Sequence, residues 1–238
     1  MSRIGIIGFG SFGQFMAKNL TFKFEIEVFD EVDKTPEATE IGVKQVDMET
    51  ICDNEILIFC IPVQYLEAFL KNQASKVRET SILIDVSSVK VYPLQLLQSF
   101  FPKNQLIGLH PLFGPQSAKS GIAGHNIVVC KDDCKYHRAI AHFLSCELRL
   151  NVLFRSPELH DQQMGYVQGL THLVGRAVNE MDIPDVEQKT RAYDYLLDLK
   201  KTLGRDSMDL FITIEKYNPF AAEIRKQFLE ELKKLDEI

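Results

Sequence analysis

The sequence has 238 residues, 45% of them hydrophobic and 25% charged, a length at the upper limit for one core and a composition that argues against a disordered chain. A formal net charge of −6 argues against a nucleic-acid or anionic-membrane partner, while a local basic pocket for a small anionic substrate stays compatible with it. The five cysteines, Cys52, Cys60, Cys130, Cys134 and Cys146, are odd in number and scattered, which speaks against a disulfide framework, and no second cysteine or histidine pair joins Cys130 and Cys134 in a metal site.

Arg3 to Ile7 is a short apolar, β-branched run that reads as a first strand and meets Gly8, Gly10 and Gly13 at once. Nothing there resembles a signal or transit peptide, and the longest apolar runs are far short of a membrane span. The expectation is a cytoplasmic protein with reduced thiols. Ser11 to Leu20 turns helical, and Glu25 to Phe29 reads as a second strand. Glu55 to Ile61 is a continuous apolar run closed by Pro62. Ser81 to Val86, Leu106 to Leu109 and Asn126 to Cys130 are further runs of this kind, which suit strands buried on both faces of a parallel sheet. Helical stretches such as Val63 to Lys76 and Lys135 to Leu144 separate them, which predicts βαβ units and a doubly wound sheet. Near Ser156 the character changes. Ser156 suits a helix N-cap, Pro157 the first helical position and Glu158 the first turn. From there to Ile238 the pattern is helical, with breaks at Pro184, Gly204 and Pro219. The class is therefore α/β: an N-terminal doubly wound sheet domain, 1–155, followed by a smaller all-α domain, 156–238.

Gly8-Phe9-Gly10-Ser11-Phe12-Gly13 matches the dinucleotide-binding spacing G-x-G-x-x-G, and it stands where that motif must stand, after a strand and opening a helix. Gly8 permits the tight turn, Gly10 lets backbone approach a pyrophosphate, and Gly13 allows close helix–strand packing. The helix N-terminus then offers free N–H groups and a positive dipole end to the phosphates. Asp30 ends the second strand about 20 residues beyond the glycines, where an acid accepts a hydrogen bond from the ribose 2′-hydroxyl. A carboxylate there repels a 2′-phosphate, so the expected cofactor is NAD, with NADP the alternative. The N-terminal domain is thus expected to be of the Rossmann type.

Ligands in such sheets bind beyond the carboxyl ends of the strands. Three polar segments lie there: Asp85 to Lys90, Gly108 to Pro115, and His160-Asp161 with the later Gln168 and His172. His110 follows a strand and precedes a proline, which holds its backbone extended. A neutral imidazole near a nicotinamide can take the proton of a hydroxyl as hydride leaves the same carbon. Gln168 and His172 are four apart and share a helix face. His160 and His172 are twelve apart, about 120° apart on one α-helix. His160 reads as a helix-start residue that orients the domain, and no histidine pair is spaced for a metal.

Together these segments resemble the prephenate and arogenate dehydrogenases of tyrosine biosynthesis. The shared signature is the glycine fingerprint, Asp85-Val86-Ser87-Ser88-Val89-Lys90, Gly108-Leu109-His110-Pro111-Leu112-Phe113-Gly114-Pro115, His160-Asp161 and Gln168-x-x-x-His172. Thr171 to Arg176, Tyr195-Leu196-Leu197, Asp206 to Leu210 and Tyr217-Asn218 follow the pattern of the plant arogenate type. The resemblance implies oxidative decarboxylation of a cyclohexadienol carboxylate. His110 is then the catalytic histidine on the ring hydroxyl, and Ser88 bonds the same hydroxyl or holds His110. Gln168 and His172 become substrate contacts, and the helical domain builds a homodimer. The arginine that bacterial relatives use for a substrate carboxylate is replaced near Tyr195, which leaves Arg176 and Arg191 as candidates. Gln116 stands where many relatives carry an acid. Two other readings compete: a different dehydrogenase with a helical second domain, and a non-catalytic NAD(P)-binding protein. The first usually places a lysine on its interdomain helix, which is absent here.

Overall fold

The structure is a computed structural model and describes residues 3–130, 134–204 and 206–238. It divides into two compact units, Met1–His160 and Asp161–Ile238.

The first unit is built on eight strands: β1 (Arg3–Ile7), β2 (Glu25–Phe29), β3 (Lys44–Gln45), β4 (Ile56–Phe59), β5 (Ile82–Asp85), β6 (Gln105–Pro111), β7 (Asn126–Cys130) and β8 (Asn151–Arg155). They lie in the order β3-β2-β1-β4-β5-β6-β7-β8. All neighbours pair in parallel except β6 and β7, which are antiparallel. The helices of this unit are α1 (Ser11–Leu20), α2 (Thr35–Ile41), α3 (Met48–Cys52), α4 (Val63–Gln73), α5 (Val91–Phe100) and α6 (His137–His142). A further helix, α7 (Pro157–Met164), begins in this unit and runs on past His160. The Rossmann-type sheet expected from the apolar runs is present.

Side chains alternate across the strands, so each strand feeds two cores. Ile4, Ile6, Val28, Ile58, Ile84 and Ile107 pack with Ala17 and Leu20 of α1. Ile7, Leu57, Phe59 and Leu83 pack with Ile51, Leu66, Leu70, Leu94 and Leu97 on the opposite face. Each such fully buried aliphatic side chain stabilises the fold by about 1.5–3 kcal/mol relative to an exposed one. Two strands lie outside the apolar runs read from the sequence. β3 has two polar residues and exists through its pairing with β2. β8 sits at the sheet edge, and Phe154 on it is 47% exposed. The helix expected over Lys135 to Leu144 is shorter, α6, and continues over Phe143–Glu147 in wider i→i+5 turns.

The parallel register puts the strand ends at one edge. Ile7 pairs with Phe59, Phe59 with Asp85, and Asp85 with Gly108. Directly beyond Asp85 the chain makes a turn that returns Lys90 to it. The Lys90 Nζ and Asp85 Oδ2 form an ion pair with both side chains buried, and Ser87 Oγ lies 3.0 Å from Asp85 Oδ2 and 2.8 Å from the Val89 carbonyl. Gly108 makes room for this pair: a Cβ there would stand 3.1 Å from Lys90 Cδ and 2.9 Å from Leu94 Cδ1.

The second unit carries α8 (Thr171–Glu180), α9 (Arg191–Leu203), α10 (Met208–Tyr217) and α11 (Ala221–Asp236). No strand is found among its described residues. Between α7 and α8 the chain keeps helical over Gly165–Leu170 in i→i+5 turns. Gly165 lets α11 approach closely, since a Cβ there would meet Ile224 Cδ1 at 2.5 Å. Gly175 does the same for Leu203 of α9. Ser207 and Thr190 cap α10 and α9 by accepting from the Leu210 and Tyr193 amides. Among the described residues no helix is long and apolar enough to cross a membrane.

The ion pair yields a stability prediction. Removing one partner strands the other charge inside the protein, at a cost of about 3–5 kcal/mol, whereas replacing both with apolar groups is often neutral. Lys90→Met is expected to lower unfolding free energy in urea by that amount, and Lys90→Met/Asp85→Leu to recover most of it. Equal losses for the single and double variants would show that packing, not charge, governs the position.

Candidate active site

The glycine loop joins β1 to α1. Gly8 has φ +96°, in the left-handed region that only glycine adopts freely, and a Cβ on it would stand 2.8 Å from the Cys60 carbonyl oxygen. At Gly13 a Cβ would fall 2.1 Å from the Gly8 carbonyl oxygen, so any side chain there must push α1 off β1. Gly10 differs: no atom lies within 4 Å of where its Cβ would stand. That open face lies at the N-cap of α1, which has no side-chain cap. The first-turn N–H groups of α1 have no intrahelical acceptors. Ser11 and Gly10 are exposed, whereas Phe9 is fully buried and Phe12 packs against the first core. These residues fit a dinucleotide pyrophosphate: a backbone cradle with space, donors and a positive dipole end.

Asp30 stands just past β2, half-buried, and the structure ties it to the loop. Its Oδ2 accepts from the Phe9 amide at 2.7 Å and its Oδ1 from the Val32 amide at 3.0 Å. Each carboxylate oxygen carries a second lone-pair direction, so the held carboxylate retains acceptor capacity for a ribose hydroxyl. Gln45 supports the same corner, its amide donating to the Val32 carbonyl at 3.0 Å while its Oε1 accepts from the Lys34 amide at 2.6 Å.

His110 lies in β6, two residues past the Gly108 that pairs with Asp85, and is buried. Its Nδ1 stands 2.8 Å from Nε2 of His160, with ring centroids 5.0 Å apart and planes crossing at 69°. Burial, then the neighbouring His160 and then the Lys90 charge hold the His110 imidazole well below the usual histidine range, so the ring is neutral. Ser88 occupies the turn between β5 and α5, half-buried, beyond the end of the strand next to the one that bears His110.

His160 and Lys90 stand in segments that the sequence marked, but it gave neither of them a chemical role. His160 is placed by the start of α7. Ser156 Oγ accepts from the Leu159 amide at 3.1 Å, Pro157 opens the helix, and the His160 amide donates to the Ser156 carbonyl at 2.9 Å. The serine–proline signal was readable, but the partner lies fifty residues away and only the fold brings it close.

The remaining candidates lie in the second unit. His172 is buried on α8, with Nδ1 3.7 Å from Asp206 Oδ2. Burial lowers the His172 pKa, partly offset by Asp206, and burial raises that of Asp206, partly offset by His172. Gln168 sits in the i→i+5 turns, half-buried. Those wider turns correct the angular reckoning of the sequence, which took α-turns throughout between His160 and His172. Arg176, half-buried, places its guanidinium 5.4 Å from the centroid of Phe211. Arg191 is exposed and folds back on Tyr195 of its own helix, Nε donating to the Tyr195 hydroxyl at 3.2 Å. Among the described residues no group of three or more histidine, cysteine or acidic side chains is disposed to hold a metal.

Residues 16–144, more than half of the chain, match the family model for the prephenate dehydrogenase nucleotide-binding domain. Residues 177–237 match that for the TYRAAT1-like C-terminal domain. Arogenate dehydrogenase 2, chloroplastic, from Arabidopsis thaliana is 29% identical over 98% of this chain and 67% of its own length. Arogenate dehydrogenase 1, chloroplastic, from the same plant is 28% identical over 95% of this chain but 37% of its own length. The chain thus spans between roughly a third and two thirds of these relatives. Among solved structures, prephenate dehydrogenase from A. aeolicus in complex with hydroxyphenyl propionate and NAD+ superposes with a TM-score of 0.78 at 21% identity, covering 100% of this chain and 90% of that one. That likeness establishes the fold, and the first family match establishes the lineage: the chain belongs to the prephenate dehydrogenase family, with residues 16–144 in its nucleotide-binding domain.

Proposed function

We propose that this chain oxidatively decarboxylates prephenate or arogenate, with a nicotinamide dinucleotide as the oxidant. The observation that carries the reading is His110: a buried, neutral imidazole at the strand edge where the glycine fingerprint opens. The relatives' names, arogenate dehydrogenase and prephenate dehydrogenase, supply the substrate class. Bound on the Gly8–Gly13 loop, the nicotinamide supplies the hydride acceptor, as the NAD+ complex of the A. aeolicus enzyme supports.

The chain's own residues do the rest. Gly10 and the amides at the start of α1 hold the pyrophosphate, with Phe9, Ser11 and Phe12 shaping the loop and Gly8 and Gly13 letting it close. Asp30 accepts the ribose 2′-hydroxyl and repels a 2′-phosphate, which favours NAD over NADP. His110 accepts the proton of the ring hydroxyl at Nε2, and Ser88 hydrogen-bonds the same hydroxyl. His172 and Gln168 contact the substrate. Of the two arginines we assign Arg176 to a substrate carboxylate, because it is half-buried and its guanidinium is held against an aromatic face, while Arg191 is exposed. The helical part also forms a homodimer in this reading, supported by the exposed Leu229, Leu232 and Leu235 on α11, and the free thiols fit a cytoplasmic location.

The deciding assay is NADH or NADPH formation with prephenate and arogenate in parallel, each with NAD and NADP. Turnover of either acid upholds the reaction, and turnover of neither removes it. His110→Asn is expected to cut turnover at least ~100-fold with cofactor binding intact, because it deletes the proton acceptor; a near-wild-type rate would take His110 out of the mechanism. Asp30→Ala should weaken NAD more than NADP, and an unchanged ratio would assign the ribose to another residue. The pH profile has a definite sign. His110 acts when neutral and its pKa is lowered, so kcat/KM should hold as pH falls through the ordinary histidine range and decline only below it. An acid limb within or above that range contradicts the assignment.

A further inference from the structure

We propose that Gln45 is a positioning residue for the nicotinamide dinucleotide: from β3 it clips the loop between β2 and α2 and, through Val32, fixes the Asp30 carboxylate that accepts the ribose hydroxyl. This rests on the reading of Asp30 as that acceptor. Glu31, Val32 and Asp33 are exposed, so apolar packing does little to set the path of this loop. Hydrogen bonds to one side chain set it instead. Gln45 Nε2 donates to the Val32 carbonyl at 3.0 Å and to the Asp30 carbonyl at 3.4 Å, while Oε1 accepts from the Lys34 amide at 2.6 Å. The partners fix which end of the Gln45 amide is which, because carbonyls only accept and a main-chain N–H only donates.

Val32 is the link to the carboxylate. Its carbonyl is held by Gln45, and its amide donates to Asp30 Oδ1 at 3.0 Å. Asp30 Oδ2 accepts from the Phe9 amide at 2.7 Å. The carboxylate is thus gripped by one N–H from the glycine loop and one from the loop that Gln45 holds. Once the Val32 amide is free to move, the Phe9 contact alone restrains the carboxylate, and an acceptor aimed in advance becomes one that must be ordered on binding. The base of Gln45 is fixed. β3 pairs with β2 at Glu27 and Val28, the Val46 amide donates to the Val28 carbonyl at 2.9 Å, and Val43 and Val46 pack against the two cores. A two-residue polar strand at the sheet edge therefore has a use beyond pairing: it carries the amide that reaches the loop beyond β2.

The first test needs no cofactor. In full-length Gln45→Met, amide hydrogen exchange read by NMR should speed up at Lys34, which loses its acceptor, and also at Val32 and Phe9, which are bonded to Asp30 and not to Gln45. Faster exchange at Lys34 alone overturns the proposal. The second test is fluorescence titration of NADH and NADPH into wild type, Gln45→Met, Asp30→Ala and the double variant. Gln45→Met should weaken NADH about 10-fold, the scale of a hydrogen bond to a charged acceptor, and NADPH less than about 3-fold. In the Asp30→Ala background the same substitution should weaken NADH less than about 2-fold, because Gln45 acts through that carboxylate. Equal losses in both backgrounds, equal losses for the two nucleotides, or wild-type affinity in a folded Gln45→Met each overturn it. Gln45→Glu keeps the acceptor for Lys34 but loses the donor to Val32, and should bind NADH as weakly as Gln45→Met; wild-type affinity there overturns the route through Val32. If Asp30→Ala leaves the NADH-to-NADPH ratio unchanged, the ribose assignment made above falls, and the exchange rates alone decide whether Gln45 holds the carboxylate.

Discussion

Lys90 and Asp85 are two full charges placed inside the sheet edge of a protein, and the neighbouring structure is organised around that fact. Removing both ions from water costs several kcal/mol each, and only their mutual attraction and further hydrogen bonds offset it. The sequence supplies those at short range. Ser87 bonds back to Asp85, the Val89 carbonyl receives the same hydroxyl, and the absent side chain of Gly108 leaves the volume that the lysine stem fills. An apolar pair of the same size would serve stability as well. The Lys90 charge also adds, after burial and His160, to the lowering of the His110 pKa. A segment that looks like a loop of small polar residues therefore closes on itself within six residues around a buried ion pair.

The same edge collects the candidate site residues for a geometric reason. Parallel strands in register must all end on one side, so Gly8, Asp30, Asp85 and His110 reach it without any local cause linking them. Asp30 shows how such convergence acquires a second use. Its carboxylate holds the Phe9 amide and so ties the end of β2 to the start of the glycine turn, with further lone pairs to spare. A substitution at Asp30 therefore also disturbs the turn.

The parts of the fold that the sequence discloses are those where burial acts on consecutive residues. Ile56 to Phe59 and Ile82 to Ile84 are covered on both faces, so every position is apolar and the run stands out. β8 has only one neighbour, its apolar stretch is the three residues Val152-Leu153-Phe154, of which Phe154 faces water, and Lys44-Gln45 contributes two polar residues; neither stands out as a long buried run does. The glycine loop is legible because the constraint at Gly13 is local: a Cβ there would meet the Gly8 carbonyl, five residues back. His160 is illegible for the opposite reason. Its partner is fifty residues earlier, and a histidine beside an aspartate at a helix start has no feature that distinguishes a surface residue from one buried against another imidazole. The i→i+5 turns over Gly165–Leu170 are hidden as well, because the apolar spacing there is compatible with an ordinary α-helix.

His160 and Asp161 are adjacent yet belong to different compact units, and each is held by its own. The imidazole of His160 is bonded to His110, while the Asp161 carbonyl accepts from the buried Asn218 side chain at 2.8 Å. Asn218 in turn uses its Oδ1 to receive the Phe220 amide at 2.9 Å, so the start of α11 and the main chain at Asp161 share one amide side chain. The dipeptide that reads from sequence as a single orienting element therefore makes two separate contacts: an imidazole pair with His110 at one residue, main-chain anchoring at the next. The anchoring runs through a carbonyl that any residue at 161 would possess, whereas the contact to His110 needs a ring nitrogen at 160.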